Sequence, residues 1–571
     1  MRFVRALILA AGVAGLTAAV GDPTLAADDA PKGKGKLKAE LKKKLAAAKG
    51  KADEVAPTTP APKPKPTPLP TKVVDAAGLA ALIDQHLDAK LAEAKVTPAS
   101  AAGDAEFLRR VYLDLTGVIP PADEAKRFLD DTDPAKRAKL IDGLLAGEQY
   151  GRRMADVWKA LLIPTDSDAR FIDRRPFDTW LVERFNTNVP WDQFARELVT
   201  ATGPQDKNPA VTFFLTNRSV DKLTDAVSQH LLGVQLACAQ CHNHPFTDWK
   251  QTEYWGMAAA FSKVQPDRVI NPNKADKDFV PGVRELPGKS RAKEFFPEGA
   301  KTVPVKFLGV EGDAKLKATE PYRPALADWM TGKENPFFAR AMVNRTWFHL
   351  FGRGIVNPVD DMHDDNEPSH PELLDALARQ FAAGGFDLKQ LIRGVANSRA
   401  YQRTSKPTSA GDRADPKLFA RQAVKVMGPE MLFDSLTRVT GLAPAAEGKG
   451  PKAMNLPKGG NFSPRDRFVQ FYLAGADAAN PVEYDAGIPQ ALKLMNSRPL
   501  TGGPGAAMKY VTPADPVGKN LDRLYLAALS RRPTAAEVGR CQKLLAQGQP
   551  AERYGDLLWA LLNSSEFSTI R

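Results

Sequence analysis

The pentapeptide Cys238-Ala239-Gln240-Cys241-His242 contains the residues of this chain whose types and spacing most clearly suggest chemistry. Cys-x-x-Cys followed by His is the pattern to which c-type haem is covalently attached. Two thiols about one turn apart can reach the two vinyl groups of one porphyrin, and the adjacent imidazole can then bind the iron. The pattern therefore predicts a haem site with Cys238 and Cys241 as thioethers and His242 as an axial ligand.

The same residues are compatible with two other structures. Cys238 and Cys241 could form a tight disulfide, which an oxidising compartment permits. Alternatively, a metal ion could be bound by His242 and His244 together with the thiolates, because zinc accepts nitrogen and sulfur ligands. The sequence leaves haem, a disulfide and a metal ion open.

A second axial ligand would be needed if haem binds with two protein ligands, and Met and His are the usual residues. Met257 follows His242 by fifteen residues and is one candidate, as is a histidine from the C-terminal half of the chain. A methionine in an apolar helix is also a common core residue. Both interpretations of Met257 stay open.

An acidic segment, residues 360–367, has the composition of a site for a hard cation. However, Ser369 and Glu372 have the spacing of a capping box at the start of a helix, and acidic residues before a helix suit its dipole. We favour the structural interpretation of this segment. His349 is expected to pack in the core and Cys541 to be a partly buried free thiol. No pattern for a catalytic nucleophile or a phosphate-binding loop is present, so no catalytic residue and no reaction are predicted.

The N-terminus resembles a secretory signal peptide, residues 1–27. Arg2 and Arg5 precede an apolar run that is short for a membrane span, and Thr24-Leu25-Ala26 offers small residues for cleavage. Uncleaved, the same run could act as an anchor. Otherwise no transmembrane span is expected. The sequence thus predicts an exported protein of the periplasm or cell envelope, which also suits c-type haem.

Residues 28–72 form a Lys-, Ala- and Pro-rich linker that is predicted to be disordered, because it lacks apolar residues for a core. The formal net charge of the chain is +12, and residues 1–72 supply most of it, with fourteen basic and six acidic side chains. The basic character therefore belongs to the tail, which either is a soluble tether or binds an anionic envelope polysaccharide. Nucleic acid is not an expected partner, and the sequence leaves a redox partner and an anionic envelope polysaccharide open.

The rest of the chain has mostly helical spacing, which predicts a mainly α protein with little β structure. We predict an N-terminal helical domain over 73–263, an irregular connector over 264–319 and a C-terminal helical domain over 320–571. Specific expectations are a helix that ends at Gly117, two helices within 174–198, one helix over 418–439 and a strand over 303–310.

Several stretches resemble a planctomycete family described as cytochrome-C-like, domain of unknown function fifteen forty-nine, and its companion, domain fifteen fifty-three. The first domain is similar in FLRRVYLDLTG at 107–117, LGVQLACAQCHNHPF at 232–246 and YWG at 254–256. The second is similar in NP at 335–336, NRTW at 344–347, LFGRGIV at 350–356, SHPELL at 369–374 and LWALLNS at 558–564. The resemblance covers roughly residues 75–570.

The resemblance implies a family named for frequent fusion to a true cytochrome c domain, and it names no activity or substrate. This chain has the Lys- and Pro-rich tail in place of that fused domain. It also has Asn243 where family members usually have Asp. Both differences weigh against a simple electron-transfer protein.

Overall fold

The computed structural model describes residues 69–164, 172–270, 279–286, 303–407, 414–441, 463–473, 492, 494–496 and 503–571. The predicted signal peptide, 1–27, and nearly all of the predicted linker, 28–72, lie outside these residues. Among the described helices, none combines the length and the apolar character that a membrane span requires.

Helices account for most of the described chain, as the sequence predicts. The α-helices are α1 Ala76–Glu93, α2 Asp104–Thr116, α3 Ala122–Asp130, α4 Lys136–Ala146, α5 Glu148–Leu162, α6 Arg175–Asn186, α7 Trp191–Val199, α8 Thr212–Thr216, α9 Val220–Leu232, α10 Gln251–Ala258, α11 Arg323–Met330, α12 Phe338–Phe351, α13 Pro371–Ala383, α14 Leu388–Asn397, α15 Pro429–Thr440, α16 Pro464–Leu473, α17 Gly503–Ala507, α18 Val517–Leu529, α19 Ala535–Leu545 and α20 Pro550–Leu562. Helix α2 ends at Gly117 in the left-handed conformation, and α6 and α7 are the two helices predicted within 174–198.

The described strands form two small antiparallel sheets. Strands β1 Gly203–Pro204, β2 Val264–Ile270 and β3 Phe279–Glu285 pair in the order β1-β3-β2, with Val264 opposite Glu285. Strands β4 Lys425–Val426 and β5 Thr569–Ile570 pair near the C-terminus. The β2–β3 hairpin lies within the predicted connector. The mainly α fold class with little β structure is confirmed.

The strand predicted over 303–310 is wrong, because these residues have no strand partner. They run instead along α10, where Lys306 N–H donates to the carbonyl of Gly256 at 3.0 Å. A Cβ atom at position 256 would lie only 2.6 Å from the Cβ of Lys306, so glycine permits this close approach. The apolar alternation of 303–310 thus reflects packing on a helix.

The single helix predicted over 418–439 is also wrong, since α15 begins only at Pro429. Before it, Pro416–Leu418 forms a 3-10 turn and β4 pairs with β5. Proline lacks an N–H group and clashes with the preceding helical turn, so it begins this helix and does not continue one.

Two clusters of buried apolar side chains form the interior of the described chain. The larger draws on α1 to α14, and so packs residues of both predicted helical domains together. The smaller draws on α15 to α20, with Leu113 and Ile119.

From Phe107 onward helix α2 is buried all round, including the charged residues Arg109, Arg110 and Asp114. The guanidinium of Arg109 donates to the carbonyls of Ala528 and Phe567, at 3.0 and 2.7 Å. Arg110 donates to the carbonyls of Tyr401 and Arg571, each at 2.8 Å. The stretch 107–117 therefore ties the N-terminal helices to the end of the chain.

Candidate functional site

Helix α9 leads directly into the CxxCH turn, which we define as residues 238–242. The helix ends at Gly233, whose φ of 70° is left-handed, and the Val234 N–H donates back to the carbonyl of Ser228 at 2.9 Å. Glycine suits this helix-ending geometry because it lacks a Cβ atom. Val234 and Leu236 are then buried and fix the start of the turn against the core.

The turn itself begins as a short 3-10 helix, Ala237–Gln240. In a 3-10 helix, side chains three residues apart lie above one another. Cys238 and Cys241 accordingly share one side and are both exposed free thiols, whereas Ala239 between them is completely buried. The sequence prediction that one turn brings both thiols to the same side is consistent with this arrangement.

The backbone of the turn is held by helix α10. The carbonyl of Gln240 accepts hydrogen bonds from Gln251 Nε2 and Trp255 Nε1, both at 3.0 Å. The side-chain Oδ1 of Asn243 accepts from the Gln251 N–H at the start of that helix, also at 3.0 Å. Three hydrogen bonds thus link α10 to the Gln240 carbonyl on one side of Cys241 and His242 and to the Asn243 side chain on the other. The sequence did not indicate this role for Gln251 or Trp255.

His242 is exposed, and its hydrogen bond selects one tautomer. Nδ1 lies 2.7 Å from the carbonyl oxygen of Asn243. A carbonyl can only accept, so Nδ1 carries the proton and Nε2 keeps its lone pair. An Nδ1–H bonded to a backbone carbonyl is the arrangement that orients a ligating histidine. His242 is therefore suited to bind iron or another metal through Nε2.

His244 has the opposite arrangement. Its Nδ1 accepts a hydrogen bond from the Phe246 N–H at 3.3 Å, so the neutral ring carries its proton on Nε2. Desolvation, and then the neighbouring charge of His363, lower the pKa of His244, while Asp361 acts in the other direction. In the described residues, no group of three or more His, Cys, Asp or Glu side chains is arranged to hold a metal ion. This geometry favours His242 over His244 as a ligand.

Met257 is not brought to this exposed face. It lies in α10 with no exposed surface, inside the larger apolar cluster. The structure thus places Met257 in the core, away from the exposed side of His242. Phe246, by contrast, is 74% exposed and lies on the same loop as the two thiols.

A polar pair, buried Tyr254 and half-buried Asp225, lies close to the turn. Burial raises the pKa of the Asp225 carboxyl to about 6, which the nearby hydroxyl of Tyr254 partly offsets. Burial also raises the pKa of Tyr254, which lies within electrostatic range of Asp225 and Cys241. The sequence did not indicate this pair, because Asp225 is one of several polar residues in α9 and Tyr254 entered only through the family resemblance.

The acidic segment, residues 360–367, comes from the C-terminal half of the chain and contacts the end of α9, just before the CxxCH turn. The Met362 N–H donates to the carbonyl of Gly233 at 2.9 Å. Asp360 is buried, bonds to Arg345 and lies 3.5 Å from His230 Nδ1. Desolvation alone would raise the pKa of Asp360, but Arg345 and His230 outweigh it and hold that pKa below its usual value. Asp360 therefore has a structural role.

The capping box predicted at Ser369 and Glu372 is wrong. Helix α13 has His370 at its N-cap, with no side-chain cap. The hydroxyl and the N–H of Ser369 both donate to the carbonyl of Ile355, at 3.1 and 2.9 Å. Ser369 therefore ties two loops together, and its spacing from Glu372 is incidental.

The free thiol expected at Cys541 is confirmed and is more deeply buried than expected, whereas His349, expected in the core, is half-buried. His349 Nε2 donates to the backbone carbonyl of Asp114 at 2.7 Å, and burial lowers its pKa to about 4. Cys541 is a buried free thiol 3.7 Å from the hydroxyl of Tyr525.

The fold and the site together define a mainly helical protein with an exposed CxxCH turn. Comparison with protein families gives two matches: PSCyt2, a protein of unknown function (DUF1549), over residues 82–266, and PSD1, a protein of unknown function (DUF1553), over residues 322–545. The chain therefore matches these two families one after the other, PSCyt2 first and PSD1 second. The search of curated proteins and the search of solved structures each found no match. The CxxCH turn lies in the PSCyt2 match, and the acidic segment lies in the PSD1 match.

Proposed function

We propose that this chain is an exported c-type haem protein that acts in electron transfer or redox chemistry. Cys238 and Cys241 would hold the porphyrin through thioethers, and His242 would bind the iron through Nε2. Haem bound in this way supplies a one-electron couple whose potential depends on its ligands and surroundings.

The tautomer of His242 carries this proposal. The hydrogen bond from Nδ1 to the carbonyl of Asn243 leaves the ligating nitrogen free and directed away from the backbone. A disulfide between Cys238 and Cys241 would need no particular tautomer at the next residue. The hydrogen bond therefore supports a ligand role for His242.

The thiols fit covalent attachment in two respects. They lie on one side of a single turn, and both are exposed, so a porphyrin can reach them without unfolding of the core. The bonds from Gln251 and Trp255 to the carbonyl of Gln240 hold the turn in place. These residues would orient the attached group, and the exposed ring of Phe246 offers apolar surface beside it.

The cellular setting of this proposal comes from the N-terminal sequence. Residues 1–27 would direct export to the periplasm or envelope, where c-type haem is attached. Because the turn is exposed, a redox partner could approach it directly. The basic linker would act as a tether or bind an anionic polysaccharide of the envelope.

The experiment is to produce the protein in a host that attaches c-type haem, and to record its absorption spectrum and haem stain on a denaturing gel. The wild-type protein should show a Soret band and a stain that survives denaturation. The double variant Cys238→Ser, Cys241→Ser should lose both. Cys541→Ser is the matched control and should keep both, since that thiol is buried against Tyr525.

An unstained wild-type protein without a Soret band would refute the proposal. If its two exposed thiols were then oxidised to each other, the protein would be an exported helical scaffold or interaction protein with a structural disulfide. Stoichiometric zinc that is lost in the double variant would instead establish a metal site.

A further inference from the structure

The acidic segment of the PSD1 domain contacts the end of α9, close to the CxxCH turn of the PSCyt2 domain. This contact suggests which residue could be the second axial ligand of the proposed haem. We propose that Met362 supplies the second axial ligand to the haem attached at Cys238 and Cys241. This inference rests on the proposed function. It assigns the ligand to the PSD1 domain, whereas Met257, the candidate named from the sequence, lies in the PSCyt2 domain.

The first observation is the position of the Met362 thioether. Its backbone N–H donates to the carbonyl of Gly233, five residues before Cys238. A Cβ atom at Gly233 would lie 3.2 Å from the sulfur of Met362 and 3.4 Å from its methyl carbon. The soft sulfur therefore lies against the backbone that leads into the CxxCH turn.

The second observation is that the acidic segment is held firmly beside this backbone. The buried carboxylate of Asp360 bonds to Arg345, whose guanidinium also lies 5.5 Å from the ring centre of Trp158. At the other end, the Asn366 side chain donates to the carbonyl of Asp361 at 2.8 Å, and its N–H donates to that of His363 at 2.9 Å. Anchors on both sides of Met362 limit the motion of its backbone.

The third observation concerns the other donor side chains near the turn. His244 and His363 both use Nδ1 to accept a backbone N–H, so their neutral rings carry the proton on Nε2. Met257 is completely buried. A thioether has no proton to lose before it binds a metal, and the methionine side chain is flexible, with three rotatable bonds. Met362 packs against the same apolar cluster but is only partly buried, so its sulfur is the more accessible of the two thioethers.

A ligand from the PSD1 domain would have a direct consequence. The site would be complete only when the acidic segment is in place, so haem coordination would report on the contact between Gly233 and Met362. Met–His ligation also gives haem a higher reduction potential than bis-His ligation does.

The test uses the full-length holoprotein in the ferric state. Met362→Leu keeps the volume and removes the sulfur, and Met362→His offers a replacement ligand. Met257→Leu tests the buried alternative, and Met495→Leu is the control at an exposed methionine, which is 46% exposed. Near-infrared absorption detects the Met–iron charge-transfer band, spin state is read from the visible spectrum, and the reduction potential is titrated.

Wild-type protein and Met495→Leu should show the charge-transfer band. Met362→Leu should lose it and become high-spin, and Met362→His should lose it yet stay low-spin with a lower potential. The assignment would be overturned if the charge-transfer band persisted in Met362→Leu, or if it disappeared only in Met257→Leu. Covalently bound haem in these variants would still support the proposed function. Absence of haem from the wild-type protein would refute both.

Discussion

At the scale of single residues, hydrogen-bond direction separates histidines that the sequence cannot tell apart. His242 and His244 stand two positions apart, yet one donates from Nδ1 to a carbonyl and the other accepts at Nδ1 from an N–H. Only the first leaves Nε2 free to bind a metal. The spacing of the CxxCH turn predicted His242 as a ligand, but the exclusion of His244 depends on how the following loop folds.

A buried histidine in the PSD1 domain gives a prediction on pH. Burial, and then the charges of Lys90 and His86, lower the pKa of His370 from 6.5 to about 4. Between pH 6.5 and pH 4, His370 is therefore protonated in the unfolded chain but mostly neutral in the folded chain. His370 should lower the free energy of unfolding progressively from pH 6.5 to pH 4, by at most about 3 kcal/mol.

Urea unfolding of wild-type protein and His370→Asn at pH 7 and pH 4.5 measures this effect. The acid-induced loss of stability should be smaller in the variant, because asparagine does not titrate. Equal losses in both proteins would show that the folded chain protonates His370 as readily as the unfolded chain does, so that its pKa is not lowered by folding.

At the scale of elements, the end of α9 positions the CxxCH turn and contacts the acidic segment. The helical pattern of the sequence predicted helices and their stops well, as at Gly117 and at the break between α6 and α7. It failed at 303–310 and at 418–439, where contacts with distant segments decide the backbone. The link between Gly233 and Met362 is of that kind, since 129 positions separate the two residues in the chain.

Replacement of Gly233 by alanine tests this junction. The residue has a φ of 70°, and a Cβ atom would lie 3.2 Å from both the Ala341 Cβ and the Met362 sulfur. A left-handed conformation costs an alanine about 1–2 kcal/mol, and the tight contacts add to that cost. Thermal unfolding should show a lower melting temperature for Gly233→Ala.

Gly143→Ala is the matched control for this substitution. Gly143 lies inside α4, and a Cβ atom there would have no neighbour within 4 Å. Alanine is the better helix former by about 1 kcal/mol, so this variant should be at least as stable as the wild type. A Gly233→Ala protein of equal stability would be incompatible with the strained junction described above.

At the scale of the whole molecule, α2 joins the beginning of the described chain to its end. In the sequence, the stretch 107–117 carried the family resemblance and predicted a helix ending at Gly117, but its arginines had no assigned role. The structure buries Arg109 and Arg110 against backbone carbonyls far along the chain. The sequence could not predict these hydrogen bonds, because their acceptors are backbone carbonyls, which are present whatever the residue type.

Substitution of Arg109 tests the importance of that link. Arg109→Met keeps the length of the side chain but leaves the buried carbonyls of Ala528 and Phe567 without their donor. Each unsatisfied buried group costs about 1–3 kcal/mol, so the free energy of unfolding should fall by about 3 kcal/mol or more. Arg127→Met, at a side chain that is 76% exposed, should change it by less than about 0.5 kcal/mol.

Chemical denaturation of the two variants beside the wild type supplies the comparison. Similar free energies of unfolding for Arg109→Met and Arg127→Met would mean that α2 and the C-terminal segment do not depend on this contact. A selective loss in Arg109→Met would confirm that the motif at 107–117 acts as a structural joint.

The central claim is that haem is covalently attached to Cys238 and Cys241. The most direct measurement is the intact mass of the denatured wild-type protein from a host that attaches c-type haem. The account predicts one haem-sized addition that persists under denaturing conditions and is absent from the Cys238→Ser, Cys241→Ser variant. A mass lower by two hydrogens, restored by reductant and accompanied by no Soret band, would contradict it and establish a disulfide.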